Sequence, residues 1–273
     1  MSTVQLISPE RPSHWYIHED ERWHAFYECP RKDGNGVKAV TIREARERRA
    51  VPSVTNVLNV LAKPGLEAWK ATQYIEAALT LPKLPKEPLD AYAKRVVDDA
   101  EAKSAGARDF GSRIHKAIEQ YLTVPVVDFG ELTPFMEPVV NWIRTNVGEF
   151  YGAEIIVGSQ ELGFAGRLDL DCELTGQSTP AGRALVDFKT QGVKSGKPPT
   201  YYNEWGKQLS AYRQARQDET GVWIHHCVSV VIDSVKPQEP FTHVWQDINR
   251  HWKMFSHCLA LWMDERDYDP RKV

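Results

Sequence analysis

Two carboxylates and one lysine on neighbouring strand-like stretches form the most chemically suggestive group in this sequence. Asp187 and Lys189 stand two residues apart in the run 187–190, so on a strand both side chains leave the same face. Asp169 ends the run Gly-Arg-Leu-Asp at 166–169 on the preceding stretch. Carboxylate oxygens are ligands for Mg²⁺ or Mn²⁺, and a lysine beside such an ion can orient or deprotonate an attacking water. The group would suit hydrolysis of a phosphodiester bond.

Taken alone, a D-x-K pattern on a strand is also typical of a solvated sheet edge or a simple salt bridge. Two helical patterns favour the chemical interpretation. His115 and Glu119 stand four residues apart upstream of the strands, and Gln208 and Tyr212 stand four apart downstream. Because residues at i and i+4 share a helix face, each helix can present two polar groups to the strands.

The elements that must position these groups alternate between helix and strand. Hydrophobic spacing predicts helices over 54–61, from 66, and over 90–122, 134–147, 204–216 and 247–266, and strands over 153–158, 164–174, 183–190 and 224–232. The 90–122 pattern predicts one or two helices with interruptions near Gly106 and Gly111. Three prolines over 82–88 predict a connector before it.

This order predicts an α/β fold. A turn signal at Lys32–Gly36 adds an N-terminal β-hairpin, followed by a charged, solvated turn or helix over 43–49. We expect a β-rich extension over 1–52, a helical wall or arch over 53–110 and a catalytic core with a C-terminal helix over 111–273, within one compact unit.

Composition describes an ordinary globular protein and excludes several classes. The 273 residues are 42% hydrophobic and carry a formal charge of −3, so no global basic field announces a nucleic-acid partner. No signal-like apolar segment and no run long enough to span a membrane is present in the sequence, which predicts a cytoplasmic protein without a membrane partner. The four cysteines are widely separated, and we expect reduced, mostly buried thiols.

Five short motifs between residues 51 and 235 occur in the order of a known family. They are Pro52-Ser53-Val54-Thr55 with Lys63-Pro64-Gly65-Leu66 and Trp69; Gly111, His115 and Glu119; Gly166 and Asp169; Asp187 and Lys189; and Gln208 and Tyr212. Together they resemble the RecB-like branch of the PD-(D/E)xK nuclease superfamily. The resemblance implies a restriction-endonuclease-like core, a central mixed β-sheet flanked by helices, and a metal-dependent DNA exonuclease.

The resemblance also implies a role for each motif residue. Asp169, Asp187 and His115 would be ligands of one or two Mg²⁺ or Mn²⁺ ions, joined by the backbone carbonyl of Phe188, and Lys189 would be the catalytic lysine. Glu119 would either assist at the metal through a water or fix the helix. Gln208 and Tyr212 would brace the site and contact the nucleic-acid backbone, although core packing explains Tyr212 equally well.

Further polar residues are candidates of second rank for contacting nucleic acid or supporting the site. Most lie around the two strands or in the loop that follows them: Glu154, Glu161, Arg167, Thr190, Lys194 and Lys197. Asp171 shares a strand face with Asp169, so it is either a supporting partner of the site or, as we favour, a solvent-facing carboxylate at the end of the strand.

Two cofactors are not expected. The run Gly192–Pro198 has only three residues between its glycines and lacks the Ser or Thr of a phosphate loop, so no nucleotide cofactor is predicted. Cys172, Cys227 and Cys258 are dispersed, unlike the clustered cysteines that hold an iron–sulfur cluster in some relatives.

Three functions remain open at this point. The favoured one is an exonuclease that acts on DNA ends or single strands in phage or bacterial recombination, repair or DNA processing, with an unidentified recombination or single-strand-binding partner protein. The others are a sequence-tolerant endonuclease on the same fold and a catalytically inactive DNA-binding module.

Overall fold

The computed structural model describes residues 14–31 and 35–272. In chain order its strands are β1 (Trp15–Glu19), β2 (Arg22–Ala25), β3 (Glu28–Pro30), β4 (Val37–Ala39), β5 (Val51–Pro52), β6 (Val147–Ser159), β7 (Phe164–Leu174), β8 (Gly182–Gln191), β9 (His226–Asp233) and β10 (Phe241–Val244). Its helices are α1 (Ile42–Glu47), α2 (Val54–Leu58), α3 (Pro64–Thr80), α4 (Leu89–Thr123), α5 (Thr133–Asn146), α6 (Asn203–Thr220) and α7 (Ile248–Glu265).

Five strands form the central sheet, in the spatial order β10-β9-β8-β7-β6. Strands β6, β7 and β8 pair antiparallel as a meander, whereas β8 and β9 pair in parallel. Parallel neighbours need a crossover, and α6 supplies it. The predicted α/β class, with a mixed sheet flanked by helices, is confirmed.

Three helices cover this sheet with apolar faces. Helix α5 buries Met136, Val139 and Ile143, and α7 buries Phe255 and Trp262. Helix α6 ends at Gly221, whose φ of +67° gives the left-handed conformation that commonly terminates a helix. The strands between these layers are correspondingly apolar, with β9 buried over nearly its whole length.

The N-terminal strands connect to β7, the strand that carries Asp169. Strand β1 pairs with β2 and β5, and Ser53 directly after β5 forms a parallel bridge with Ala165 of β7. The Ser53 hydroxyl also accepts a hydrogen bond from the backbone N–H of Asn56 at 3.0 Å, so it is the N-cap of α2. The motif at residues 52–55 therefore anchors α2 beside β7.

Residues 61–116 form a separate helical unit, and 14–60 with 117–272 form the other. Within the helical unit, Ala77 of α3 packs with Val96 and Ala100 of α4. The predicted connector over 82–88 is confirmed, and Arg95 binds Glu87 in it through two hydrogen bonds of 2.7 and 2.9 Å.

Several expectations about single elements need correction. Helix α4 is continuous over 35 residues, so the predicted interruptions near Gly106 and Gly111 are wrong. A helical glycine costs only about 1 kcal/mol, which a long helix tolerates. Strand β10 was not predicted, and β6 begins six residues before the predicted strand at 153.

The N-terminal hairpin is confirmed by the antiparallel pair β3–β4, which flanks the predicted turn. Residues 32–34 of that turn lie outside the described residues. A second hairpin, β1–β2, was not predicted. The charged stretch that follows contains α1.

The four cysteines are reduced and buried, as predicted. Within residues 14–31 and 35–272, no helix is both long and apolar enough to cross a bilayer.

Candidate active site

Asp169 and Asp187 stand where strands β7 and β8 separate. The antiparallel ladder ends at the pair Leu170–Val186, and the next pair in that register is Asp169 and Asp187. The backbone N–H of Phe188 donates a hydrogen bond of 2.7 Å to Asp169 Oδ2, where the ladder would otherwise continue. The end of the ladder thus brings two acidic side chains to the same place.

Lys189 joins this pair to helix α6. Its ammonium donates to Asp187 Oδ1 at 2.8 Å and to Gln208 Oε1 at 3.2 Å. Burial lowers the pKa of Lys189, but Asp187, Asp169 and Glu204 raise it by more, so that its pKa lies above the usual value. The amine is therefore held as a cation between carboxylates.

Gln208 and Tyr212 extend the contact into the core. The amide of Gln208 donates to the Tyr212 hydroxyl at 3.0 Å. Burial holds the pKa of Tyr212 well above its usual value, so this phenol stays neutral. Tyr212 fits because position 166 is glycine: a Cβ at Gly166 would lie 2.5 Å from Tyr212 Cε1. The G-x-x-D run at 166–169 and the Q-x-x-x-Y run at 208–212 are therefore in direct contact.

A second group of carboxylates lies next to Asp169. Glu154 on β6 is partly buried, and its φ of +52° is a left-handed conformation that non-glycine residues seldom adopt. Burial, followed by the charges of Asp169 and Glu119, raises the pKa of Glu154 to about 8, against the lowering effect of Arg167. The Arg167 guanidinium lies 3.7 Å from Glu154 Oε2. Arg167 thus partly neutralises this crowded acidic group.

His115 lies on α4 one turn before Glu119. It belongs to the helical unit of residues 61–116, whereas Glu119 belongs to the unit that holds the sheet. Because α4 is a continuous helix, the i and i+4 spacing gives His115 and Glu119 the same helix face.

The donor atoms of the sheet suit a hard divalent cation. Glu154 and Asp169 each offer a carboxylate oxygen, and these two atoms lie within 4.8 Å of one another. Two oxygens bound to one cation at 2.0–2.6 Å lie at most about 4–5 Å apart, so the two carboxylates are within reach of a shared ion. The pKa of Glu154 is raised first by burial of the carboxylate and then by the neighbouring charges of Asp169 and Glu119, and a divalent cation would offset both effects. The residues present therefore fit Mg²⁺ or Mn²⁺.

Asp171 does not face solvent, so that expectation is wrong. Its side chain is fully buried, and Arg183 binds it through two hydrogen bonds of 3.0 and 2.8 Å. Arg216 of α6 adds a third hydrogen bond of 3.0 Å. Asp171 is the centre of an ion-pair network that joins β7, β8 and α6.

The other candidates have different surroundings. The buried ring of Phe188 packs against Trp142, with ring centroids 6.0 Å apart. Because side chains alternate along β8, Phe188 and Thr190 lie on one face of the strand, and Asp187 and Lys189 lie on the other. Lys194 and Lys197 are exposed in the loop after β8. Glu161 is exposed on the turn between β6 and β7, eight residues before Asp169.

Two residues near Lys189 were not predicted. Glu204 contributes to the raised pKa of Lys189, and the Trp205 ring lies 5.9 Å from its Nζ. Glu204 stands one turn before Gln208 on α6, so the spacing 204, 208, 212 was a signal for it. Trp205 has no comparable signal, because its approach to Lys189 depends on how α6 begins.

Comparison with models of known protein families gives no match for this chain. A search of curated proteins likewise gives none.

Proposed function

We propose that this protein is a divalent-metal-dependent deoxyribonuclease with a restriction-endonuclease-like core of the RecB-like type. The observation that carries the proposal is the position of Asp169 and Asp187 at the end of the β7–β8 ladder, with the Lys189 ammonium 2.8 Å from Asp187. A structural salt bridge would require only one of these carboxylates. Asp169 and the adjacent Glu154 add negative charge beyond what the Asp187–Lys189 ion pair needs.

In this proposal Glu154 and Asp169 hold the divalent cation. Asp187, the backbone carbonyl of Phe188 and His115 are the further ligands that the family resemblance implies. Glu119 stands one helical turn from His115 and acts on this group by its charge. The bound cation would polarise the phosphate and stabilise the leaving oxygen. Arg167 limits the repulsion between the carboxylates before the substrate arrives.

Lys189 acts on the attacking water. An ammonium has three N–H donors, and Asp187 and Gln208 accept two of them. The third can be donated to a water or to a phosphate oxygen, which orients the nucleophile and offsets the negative charge that develops on phosphorus. Gln208, held by Tyr212, keeps the amine in one position.

Exonucleolytic action on DNA ends or single strands is the form of the activity that we favour, in recombination, repair or DNA processing. This preference comes from the family resemblance of the five motifs. DNA binding would be local to the site, because the chain as a whole has a formal charge of −3. The affinity would fall as the salt concentration rises, because contacts to phosphates release counterions.

The test compares end-labelled linear DNA, single- and double-stranded, with covalently closed circular DNA, in Mg²⁺, Mn²⁺ or EDTA. We expect loss of linear DNA only, and only with metal. Cleavage of closed circles would change the assignment to an endonuclease on the same fold. Tight DNA binding without cleavage in any metal would contradict the enzyme and indicate a binding module.

A further inference from the structure

Aromatic side chains lie at the N-terminal end of α6 and on strand β10. Tyr201 stacks on His243 of β10 with ring centroids 4.3 Å apart and planes 20° from parallel. Tyr202, the N-cap of α6, meets Trp205 edge to face at 5.2 Å. We call these four residues the aromatic platform.

The platform has a rigid support. Trp245 is buried behind it, contacts His243 at 4.5 Å and donates its indole N–H to Ser229 Oγ at 2.9 Å. Gly206 makes room for this support, since a Cβ there would lie 2.8 Å from Trp245. The outer rings are less buried: Tyr202 is 41% exposed, and Tyr201, Trp205 and His243 are partly exposed.

The platform adjoins the candidate active site through one contact. The Lys189 ammonium lies 5.9 Å from the Trp205 ring, in a cation–π arrangement. Lys189 also binds Asp187, so the platform and the carboxylates are neighbours of the same amine.

Two lysines precede the platform in the chain. Lys194 and Lys197 are exposed in the loop that leads from β8 to Tyr201. The start of this loop is fixed, because Asp233 accepts a hydrogen bond of 3.2 Å from the backbone N–H of Val193. Partly exposed aromatic rings that closely follow exposed lysines in the chain match a strand of bases and phosphates better than they match a duplex, whose bases are already stacked.

We propose that the aromatic platform stacks unpaired nucleobases of a single strand whose phosphate enters the carboxylate–lysine site. This rests on the proposed function and deepens it, because it assigns single-stranded nucleic acid as the substrate class. Trp205 and Tyr202 carry the stacking, and Lys194 and Lys197 contact the backbone phosphates.

The test measures binding without turnover. Fluorescence anisotropy in EDTA gives the Kd of the full chain for labelled oligothymidylate and for an abasic strand of the same length and charge. A stacking surface must distinguish these strands, and we expect oligothymidylate to bind more tightly by about 5- to 150-fold per stacked base. Trp205→Leu combined with Tyr202→Leu should remove most of this preference and leave the Kd for the abasic strand unchanged.

Matched variants separate stacking from folding. Trp205→Phe keeps a ring and should keep most of the preference. Trp223→Leu removes an exposed tryptophan that stacks on Arg213 beyond the other end of α6, and should change neither Kd. If the double variant fails to fold by circular dichroism, Tyr202→Leu alone provides the comparison, since Tyr202 is the most exposed of the four rings.

Equal affinity of the wild type for both strands would overturn the proposal, and so would a preference that survives in the double variant. These outcomes are distinct from failure of the proposed function. A protein that prefers bases but cleaves nothing in Mg²⁺ or Mn²⁺ would keep the platform and lose the nuclease. Metal-dependent cleavage with no preference for bases would support the nuclease and overturn the platform.

Discussion

The backbone at Gly166 and the ring of Tyr212 are so close that a single methyl group at position 166 would lie 2.5 Å from Tyr212 Cε1. The Tyr212 hydroxyl accepts from Gln208, whose amide oxygen in turn accepts from Lys189. The position of the Lys189 ammonium therefore depends on the absence of a side chain at position 166 of β7.

Gly166→Ala should displace Tyr212 and release Lys189 from Gln208. We expect a loss of about 1–3 kcal/mol in the free energy of unfolding, typical of overpacking, and a lower cleavage rate. Urea denaturation and initial rates measure both effects. The double variant Gly166→Ala, Tyr212→Leu should recover part of the stability, because the clash is gone, but not the rate. Simple additivity of the two stability changes would contradict the direct contact.

Asp171→Asn should destabilise the fold without changing the chemistry. It removes the charge that Arg183 and Arg216 share and leaves both guanidinium groups without their buried carboxylate. Breaking a buried ion pair in this way costs about 3–5 kcal/mol. We expect a correspondingly lower urea midpoint and an unchanged cleavage rate per folded molecule.

Glu47→Gln is the matched control for that prediction. Glu47 pairs with Arg43 on α1, and the side chains are 62% and 69% exposed, so its loss should cost no more than about 1 kcal/mol. Equal urea midpoints for the two variants would show that the Asp171 network contributes little to stability.

The Asp233 carboxyl should make the free energy of unfolding depend on pH. Burial raises the pKa of this carboxyl, but backbone N–H donors at Val235 and Val193 and the Gln238 amide lower it by more, so its pKa lies below the usual value of 3.8. A lowered pKa gives stability that is present above pH 3.8 and is lost as the pH falls through the folded pKa. The difference in unfolding free energy between wild type and Asp233→Asn should therefore be largest above pH 3.8 and shrink on acidification.

Urea denaturation at a series of pH values measures this difference. Glu239→Gln replaces an exposed carboxylate near Asp233 in sequence. Its free energy of unfolding should match that of the wild type at every pH. A difference between wild type and Asp233→Asn that stays constant with pH would contradict the assigned cause.

Sequence reasoning located the candidate site because its signals are local. The alternation in residues 164–174 is complete within one strand, and β7 has the predicted bounds. The D-x-K spacing and the register of β7 and β8 then place Asp169 opposite Asp187.

The errors involve partners that are distant in sequence. Asp171 was expected in solvent, but Arg216 reaches it from 45 residues away. Trp205 approaches Lys189 only because α6 crosses the sheet. Strand β10 is four partly buried residues, too short for a periodic pattern.

Divalent metal should raise the melting temperature of the wild type. Mn²⁺ bound by Glu154 and Asp169 would offset the burial of Glu154 and its repulsion from Asp169 and Glu119, and this binding would add to the free energy of unfolding. Glu154→Gln and Asp169→Asn should each reduce this shift, whereas Glu161→Gln, on an exposed turn, should retain it. Thermal denaturation with Mn²⁺ and with EDTA provides the measurement, and an identical shift in all four proteins would place the ion elsewhere.

The most direct test of the central claim is the rate at which purified wild type and Lys189→Ala degrade end-labelled linear DNA in Mn²⁺. Lys272→Ala, which removes an exposed lysine, is the control. The account predicts cleavage by wild type and control that EDTA abolishes, and a loss of at least about 100-fold in Lys189→Ala, within the range for removing one charged group that acts in the transition state. Equal rates for wild type and Lys189→Ala, or no cleavage by any of the three proteins, would contradict it.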